Sequence, residues 1–268
     1  MTRILTCAAL LVSLICTCES LNAATMYLGN NENFTGNGTM YTVDIGSQSA
    51  AVLGSAGINF DFGGLGFAQD GTLYGWETSS DALYTVNTSN GQWSLVGGSG
   101  PSRGETFDIN PVTNEAIVTD ILSQLYTVTL ATGASVLKVN LTNFQVGAGS
   151  AFGPDGTLYY LDILGDNLRS VDVSDGVVSL VGATGINDTF TNLSYNPEDG
   201  MLYAVATRGN SLYRFDPNNG AGANLGAIAN LPDTGQYTMG TIRVPEPTTL
   251  TLTTLGLLAM CCCRRRRT

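Results

Sequence analysis

Three features of this 268-residue chain predict an all-β fold: a repeat of about 43 residues, four short runs rich in Val, Leu, Tyr and Thr within each repeat, and turn dipeptides between the runs. Four strands in a unit of that length are the pattern of a β-propeller blade. Residues 25–243 hold about five such units, so the prediction is a five-bladed propeller in one domain, with six blades as the alternative count.

The repeat is read from three series. Met40-Tyr41-Thr42-Val43-Asp44 returns as Leu83-Tyr84-Thr85-Val86-Asn87, Leu125-Tyr126-Thr127-Val128-Thr129, Leu168-Arg169-Ser170-Val171-Asp172 and Leu212-Tyr213-Arg214-Phe215-Asp216, at steps of 43, 42, 43 and 44 residues. A second series runs from Phe67 to Tyr74, from Phe152 to Tyr159 and from Tyr195 to Tyr203, with Ile109 to Ile117 as a degenerate copy. A third is a turn glycine: Gly91, Gly133, Gly176 and Gly220. In the unit containing Leu83 the strands are A (Gly64 to Phe67), B (Thr72 to Trp76), C (Ala82 to Val86) and D (Trp93 to Val96). Asp-Gly, Asn-Gly and Thr-Gly between such runs supply the positive φ that reverses an antiparallel strand. Asp70, Asp155 and Asp199 are read as turn formers, with calcium ligation as the alternative.

The ends of the repeat are out of phase. Thr25 to Leu28 precedes a C strand and is therefore a B strand, whereas Gln236 to Ile242 falls where an A strand belongs. One blade would then take its A strand from the C-terminal end and its other three from the N-terminal end. That pairing closes the ring and removes exposed sheet edges.

Composition restricts the chemistry. The chain has no His, and its six Cys are Cys7, Cys16, Cys18 and Cys261 to Cys263, so the body lacks both residue types. Neither a Ser-His-Asp triad, a Cys nucleophile nor a Cys/His zinc site can be built there. Twenty acidic side chains face six basic ones between Ala24 and Val244, a net charge of −14 that disfavours a nucleic-acid partner.

The termini read as targeting segments. Arg3, the apolar run Ile4 to Cys18 and the small residues before Thr25 have the layout of a secretory signal peptide covering residues 1–24; acylation at Cys16 or Cys18 is the alternative. At the other end Pro245-Glu246-Pro247 is followed by an uncharged stretch, Thr248 to Cys263, and by Arg264, Arg265, Arg266 and Arg267. A helix over that stretch would reach about 24 Å, nearly a bilayer core, and the Arg cluster would hold its end in the cytoplasm. These parts, in this order, resemble the PEP-CTERM sorting signal of exported proteins in Gram-negative bacteria that make exopolysaccharide. The resemblance covers residues 244–268. It implies processing near the Pro-Glu-Pro motif by an exosortase, a membrane cysteine protease, after which the body is released or transferred to the cell surface. A plain membrane anchor is the competing reading.

A ligand is expected among the loops that differ between repeats: Asn30 to Gly38, Ser55 to Gly63, Gly97 to Gly104, Asn140 to Gly147, Gly182 to Thr191 and Ala229 to Gly235. Asp61, Glu105 and Asp188 stand at the starts of A strands in three blades and are the candidate catalytic carboxylates, placed to converge on the channel mouth. Against catalysis, the A strands are otherwise small or apolar, Asp108 is their one internal acid, and the chain has only two Trp to stack on sugars. The composition favours a non-catalytic, cofactor-free body, and the resemblance implies a surface or matrix protein that serves structurally or binds exopolysaccharide. The alternative is a carboxylate-dependent glycoside hydrolase or lyase, and a quinoprotein-like dehydrogenase comes third.

Overall fold

A computed structural model describes residues 24–243 apart from 32–35, 143–146, 163–165 and 234. The signal and sorting segments, residues 1–23 and 244–268, lie outside the described residues. The chain forms β1 (Thr25–Asn30), β2 (Thr39–Asp44), β3 (Ser49–Ser55), then β4 (Gly63–Phe67), β5 (Leu73–Glu77), β6 (Ala82–Val86) and β7 (Trp93–Gly97). The next unit is β8 (Gly104–Ile109), β9 (Ala116–Asp120), β10 (Gln124–Val128) and β11 (Ser135–Asn140). Then come β12 (Gly147–Phe152), β13 (Leu158–Asp162), β14 (Asn167–Val171) and β15 (Val178–Ala183), followed by β16 (Ser194–Asn196), β17 (Met201–Val205), β18 (Ser211–Phe215), β19 (Gly222–Ala227) and β20 (Tyr237–Arg243).

These strands make five four-stranded antiparallel sheets. Four are consecutive meanders, and the fifth has the order β20-β1-β2-β3. The five-bladed propeller and its closure thus match the out-of-phase repeat: β20 pairs with β1 from Thr25 opposite Arg243 to Asn30 opposite Tyr237.

The innermost strands β4, β8, β12, β16 and β20 pack in cyclic order around one axis. Five sheets meeting there leave little room for side chains. A Cβ on Gly64 would stand 2.3 Å from the Phe107 carbonyl oxygen, and one on Gly149 would stand 2.5 Å from the Asn192 carbonyl carbon. Both contacts are with backbone that cannot move aside, which is why these A strands read as Gly-rich in sequence. β16 is the shortest inner strand, and the Asn192 side chain extends its ladder: its amide nitrogen donates to the Val205 carbonyl and its oxygen accepts from the Val205 N–H.

Apolar residues on the two faces of each sheet fill five clusters, one between each pair of adjacent blades. Trp93, Phe60, Leu65 and Met239 join the blade of β4–β7 to the closing blade, while Trp76, Leu83, Phe107 and Val118 join it to the blade of β8–β11. The core is therefore distributed between blades rather than held within any one of them.

Two devices repeat at the rim. Each C–D pair carries a register shift at the same place, at Met40/Tyr41, Leu83/Tyr84, Leu125/Tyr126, Leu168/Arg169 and Leu212/Tyr213. Such a bulge twists an edge strand and spoils it as a template for further pairing. Backbone contacts also join each outer edge to the next blade: Trp93 N–H donates to Ala56, Thr142 to Gly176, Gly222 to Thr184 and Ala50 to Ala229, and Ser99 forms a bridge with Ala134. The turn-glycine series lies in these junctions. Gly133, Gly176 and Gly220 have φ of 70°, 77° and 80°, and a Cβ on any of them would stand 2.1 to 2.5 Å from a carbonyl oxygen of the preceding blade. The corresponding residue of the closing blade is Gln48, which takes the same left-handed conformation with φ 50°.

Gly64→Ala is predicted to destabilise the protein by at least about 2 kcal/mol, lowering Tm by several degrees in a thermal melt, because the obstructing atoms are backbone. Gly46→Ala, exposed and with only the Asp44 carboxylate nearby at 3.5 Å, should stay within about 0.5 kcal/mol of the unmodified chain. Deleting residues 237–268 removes β20 and opens the ring; the expected result is loss of the cooperative transition and aggregation, read by calorimetry and light scattering.

Candidate functional site

The axis has two ends. At the end where the loops enter the A strands, the channel is closed by Gly63, Gly64, Gly149 and Gly240 together with Phe107, Leu193 and Met239, leaving a void of about 10 Å³. The sequence-predicted carboxylates lie near this end but are not all brought together. Asp61 is two residues before β4, Glu105 is the second residue of β8, and both are half-buried. Burial pushes the Asp61 carboxyl upward, as does Glu77, while the Phe62 N–H and Arg103 pull it down. Glu105 is also raised by burial, with Arg103 opposing and Asp120 and Asp61 adding to the rise. Asp61 and Glu105 therefore share an electrostatic neighbourhood with Arg103. Asp188 is engaged elsewhere: its carboxylate accepts from the Tyr213 hydroxyl at 2.6 Å and from the Thr189 N–H at 2.8 Å, tying the incoming loop to β18, the third strand of its blade.

Three further acids escape notice in the sequence although they recur at steps of 43 and 42 residues. Glu77, Asp120 and Asp162 end the B strands of consecutive blades and are 2 to 3% exposed. Glu77 accepts from the N–H groups of Asp61, Ser79 and Ser80, and Asp120 from those of Leu122 and Gln124. Asp162 is held by Arg169 Nε at 3.2 Å, in the blade where Arg169 replaces the Tyr of the repeat. Glu77 and Asp120 thus organise their B–C turns, while Asp162 pairs across to the C strand of its blade. In the same way the A–B turn residues Asp70, Asp155 and Asp199 accept from Thr72, Thr157 and Met201 two residues on, which is Asx-turn geometry. Among the described residues, no group of three or more His, Cys, Asp or Glu is arranged to hold a metal ion.

The opposite end of the axis, at the A–B turns, holds a cavity of about 180 Å³. All five blades contribute to its wall: Phe67, Ile109, Phe152, Tyr195 and Ile242 come from corresponding positions at the ends of the five A strands. Pro111, Pro154 and Pro197, from three A–B turns, form its mouth. Among the described residues, Asp108 is the one charged residue in this wall. Its two oxygens accept from Ile109 N–H and Phe152 N–H, each at 2.7 Å, so the carboxylate bridges β8 to the next inner strand, β12. Gly66 makes room for it, since a Cβ there would stand 2.9 Å from Asp108 Oδ1. The cavity thus lies at the other end of the axis from the variable loops where a ligand was expected, because the inner strands close on one another at the loop end.

Burial raises the Asp108 carboxyl to about 7 against the pull of its two backbone donors. Between the unfolded value near 4 and this folded value, the native state holds a proton that the unfolded chain has released. Stability from this group is therefore present below about pH 4 and is lost as pH rises through 7. The stability of the unmodified protein relative to Asp108→Asn is expected to fall from pH 4 to pH 8, by on the order of 4 kcal/mol at most. Denaturant unfolding of both proteins across that range measures it, and a constant difference would contradict the assignment.

No family model matches the chain, and no curated protein sequence matches it. Similarity is found among solved structures. A chain in the crystal structure of a nidogen/laminin complex aligns with a TM-score of 0.59 at 12% identity, over 82% of this chain and 98% of that one. A structural genomics protein of unknown function from Bacteroides thetaiotaomicron aligns with a TM-score of 0.48 at 12% identity, over 75% of this chain and 64% of that one. The first of these likenesses is one of fold.

Proposed function

We propose that the protein is an exported cell-surface or matrix propeller with a binding or structural role, delivered by its signal peptide and processed by an exosortase at Pro245-Glu246-Pro247. One structural observation supports this reading above the others: Thr25 and Arg243 are directly paired, so the two ends of the described body lie side by side at the A–B end of the axis. The last residue of the closing strand is Arg243, two residues before the Pro-Glu-Pro motif. A cut at that motif would leave every hydrogen bond of the ring in place and free the body folded. The variable loops lie at the other end of the axis, turned away from the point of attachment.

Exopolysaccharide bound through those polar loops is the partner this reading favours. The hydrolase alternative has less support, since Asp188 is committed to Tyr213 and only Asp61 and Glu105 sense one another.

Mass spectrometry of mature cell-surface or secreted material is expected to show a C-terminus near Pro245 to Pro247; a tail intact through Thr268 would replace sorting with plain anchoring. Incubation with the host's exopolysaccharide is expected to give retention without turnover. Turnover that disappears when Asp61 and Glu105 are changed to their amides would establish the enzyme reading instead.

A further inference from the structure

The axial cavity at the A–B end has no role in the reading above. Its wall is mostly apolar and aromatic, and beside the hydroxyls of Thr241 and Tyr195 it holds two further polar groups. One is the Asp108 carboxylate, whose oxygens each accept one backbone N–H and so keep a further lone pair. The other is the Ser194 hydroxyl, which is in the wall, 3% exposed and without a hydrogen-bond partner. A buried hydroxyl without a partner costs about 1–3 kcal/mol. Here it sits in the same small space as a carboxylate without a cationic partner among the described residues: no described Lys or Arg is in the cavity wall, and the Arg243 guanidinium lies over the Phe67 ring, 5.3 Å from its centroid. An acid in an apolar site is restored to its charged form by an external cation. The body's net charge of −14 concentrates cations around it.

We propose that this cavity is a binding site for a small organic monocation, a primary ammonium group carried on an apolar body. The ammonium donates hydrogen bonds to the free lone pairs of Asp108 and to Ser194 Oγ. The apolar body lies against Phe67, Phe152 and Tyr195, whose rings suit both hydrocarbon and cation. At about 180 Å³ the space is below the roughly 300–1,000 Å³ of drug-sized pockets, so the ligand is fragment-sized. A fully hydroxylated sugar fits less well, because most of the wall is apolar: Phe67, Ile109, Phe152, Leu193, Ile242 and three prolines.

The test is titration of the full-length protein with benzylammonium at pH 7.5, by calorimetry or ligand-observed NMR, alongside the neutral isostere benzyl alcohol and the anion benzoate. The expected result is one saturable site for benzylammonium, with benzyl alcohol at least tenfold weaker and benzoate not binding. Asp108→Asn should weaken benzylammonium at least tenfold, the scale of a lost charge-assisted hydrogen bond. Ser194→Ala keeps the carboxylate and its backbone partners; it should weaken binding several-fold while leaving the thermal transition in place, so the proposal does not rest on the folding of the Asp108 variant. Absence of saturable benzylammonium binding to the unmodified protein would overturn the proposal. Equal binding of benzyl alcohol, or unchanged affinity in Ser194→Ala, would do so as well. None of these outcomes depends on export or sorting.

Discussion

Everything in this molecule follows from closing five sheets around one axis. A β-sheet of four short strands cannot bury both of its faces alone, and here each face is covered by the next blade, through five clusters that all lie between blades. The arrangement is stable only if it has no first and last blade. The β20–β1 ladder supplies that condition, joining residues more than two hundred positions apart. Its contribution exceeds the hydrogen bonds it contains, because opening it would expose the faces of two blades to water.

Closure has different consequences at the centre and at the rim. At the centre, five inner strands approach so closely that Gly64 and Gly149 stand against backbone, and the channel at the loop end is nearly filled. At the rim the sheets diverge, and backbone contacts from each outer edge to the next blade span the gap. The same outer strands are bulged at one recurring position, which blunts the exposed edge at every blade. The molecule is held from inside by packing and from outside by hydrogen bonds, so a glycine is required at both radii for the same steric reason.

The blade repeat was legible because each copy repeats local chemistry: alternating strands, Asx turns and turn glycines. Even the closure was legible, from the phase of the first and last strands. Contacts between blades were not. The turn glycines read as conformational needs, yet Gly133, Gly176 and Gly220 are also held to Gly by carbonyls of a neighbouring blade. Asp188 precedes an A strand as Asp61 does, but six residues ahead of it rather than two, and its carboxylate is bound by the Tyr213 hydroxyl. Glu77, Asp120 and Asp162 recur in step, but their burial at the ends of B strands depends on the packing of the blade and not on local sequence. Residues 1–23 and 244–268, which carry the export reading, are outside the described structure, and that reading still rests on their sequence.

Asp108 shows how a single departure from the repeat creates a site. At the corresponding position the other inner strands have Gly66, Ala151, Ser194 and Thr241, all small and uncharged. Any of these would fill the axis without electrostatic cost. A carboxylate at that point demands donors, and it takes two from the backbone of its own strand and the next. It also demands space, which Gly66 leaves open on the adjoining blade. Five-fold packing alone explains neither demand, since the four uncharged copies meet it already. The departure instead adds charge to an unpartnered hydroxyl and aromatic surface at an end of the axis where all five blades meet, close to where Arg243 ends the closing strand. A group that binds there touches every blade at once, so its binding energy would add directly to the stability of the closed ring.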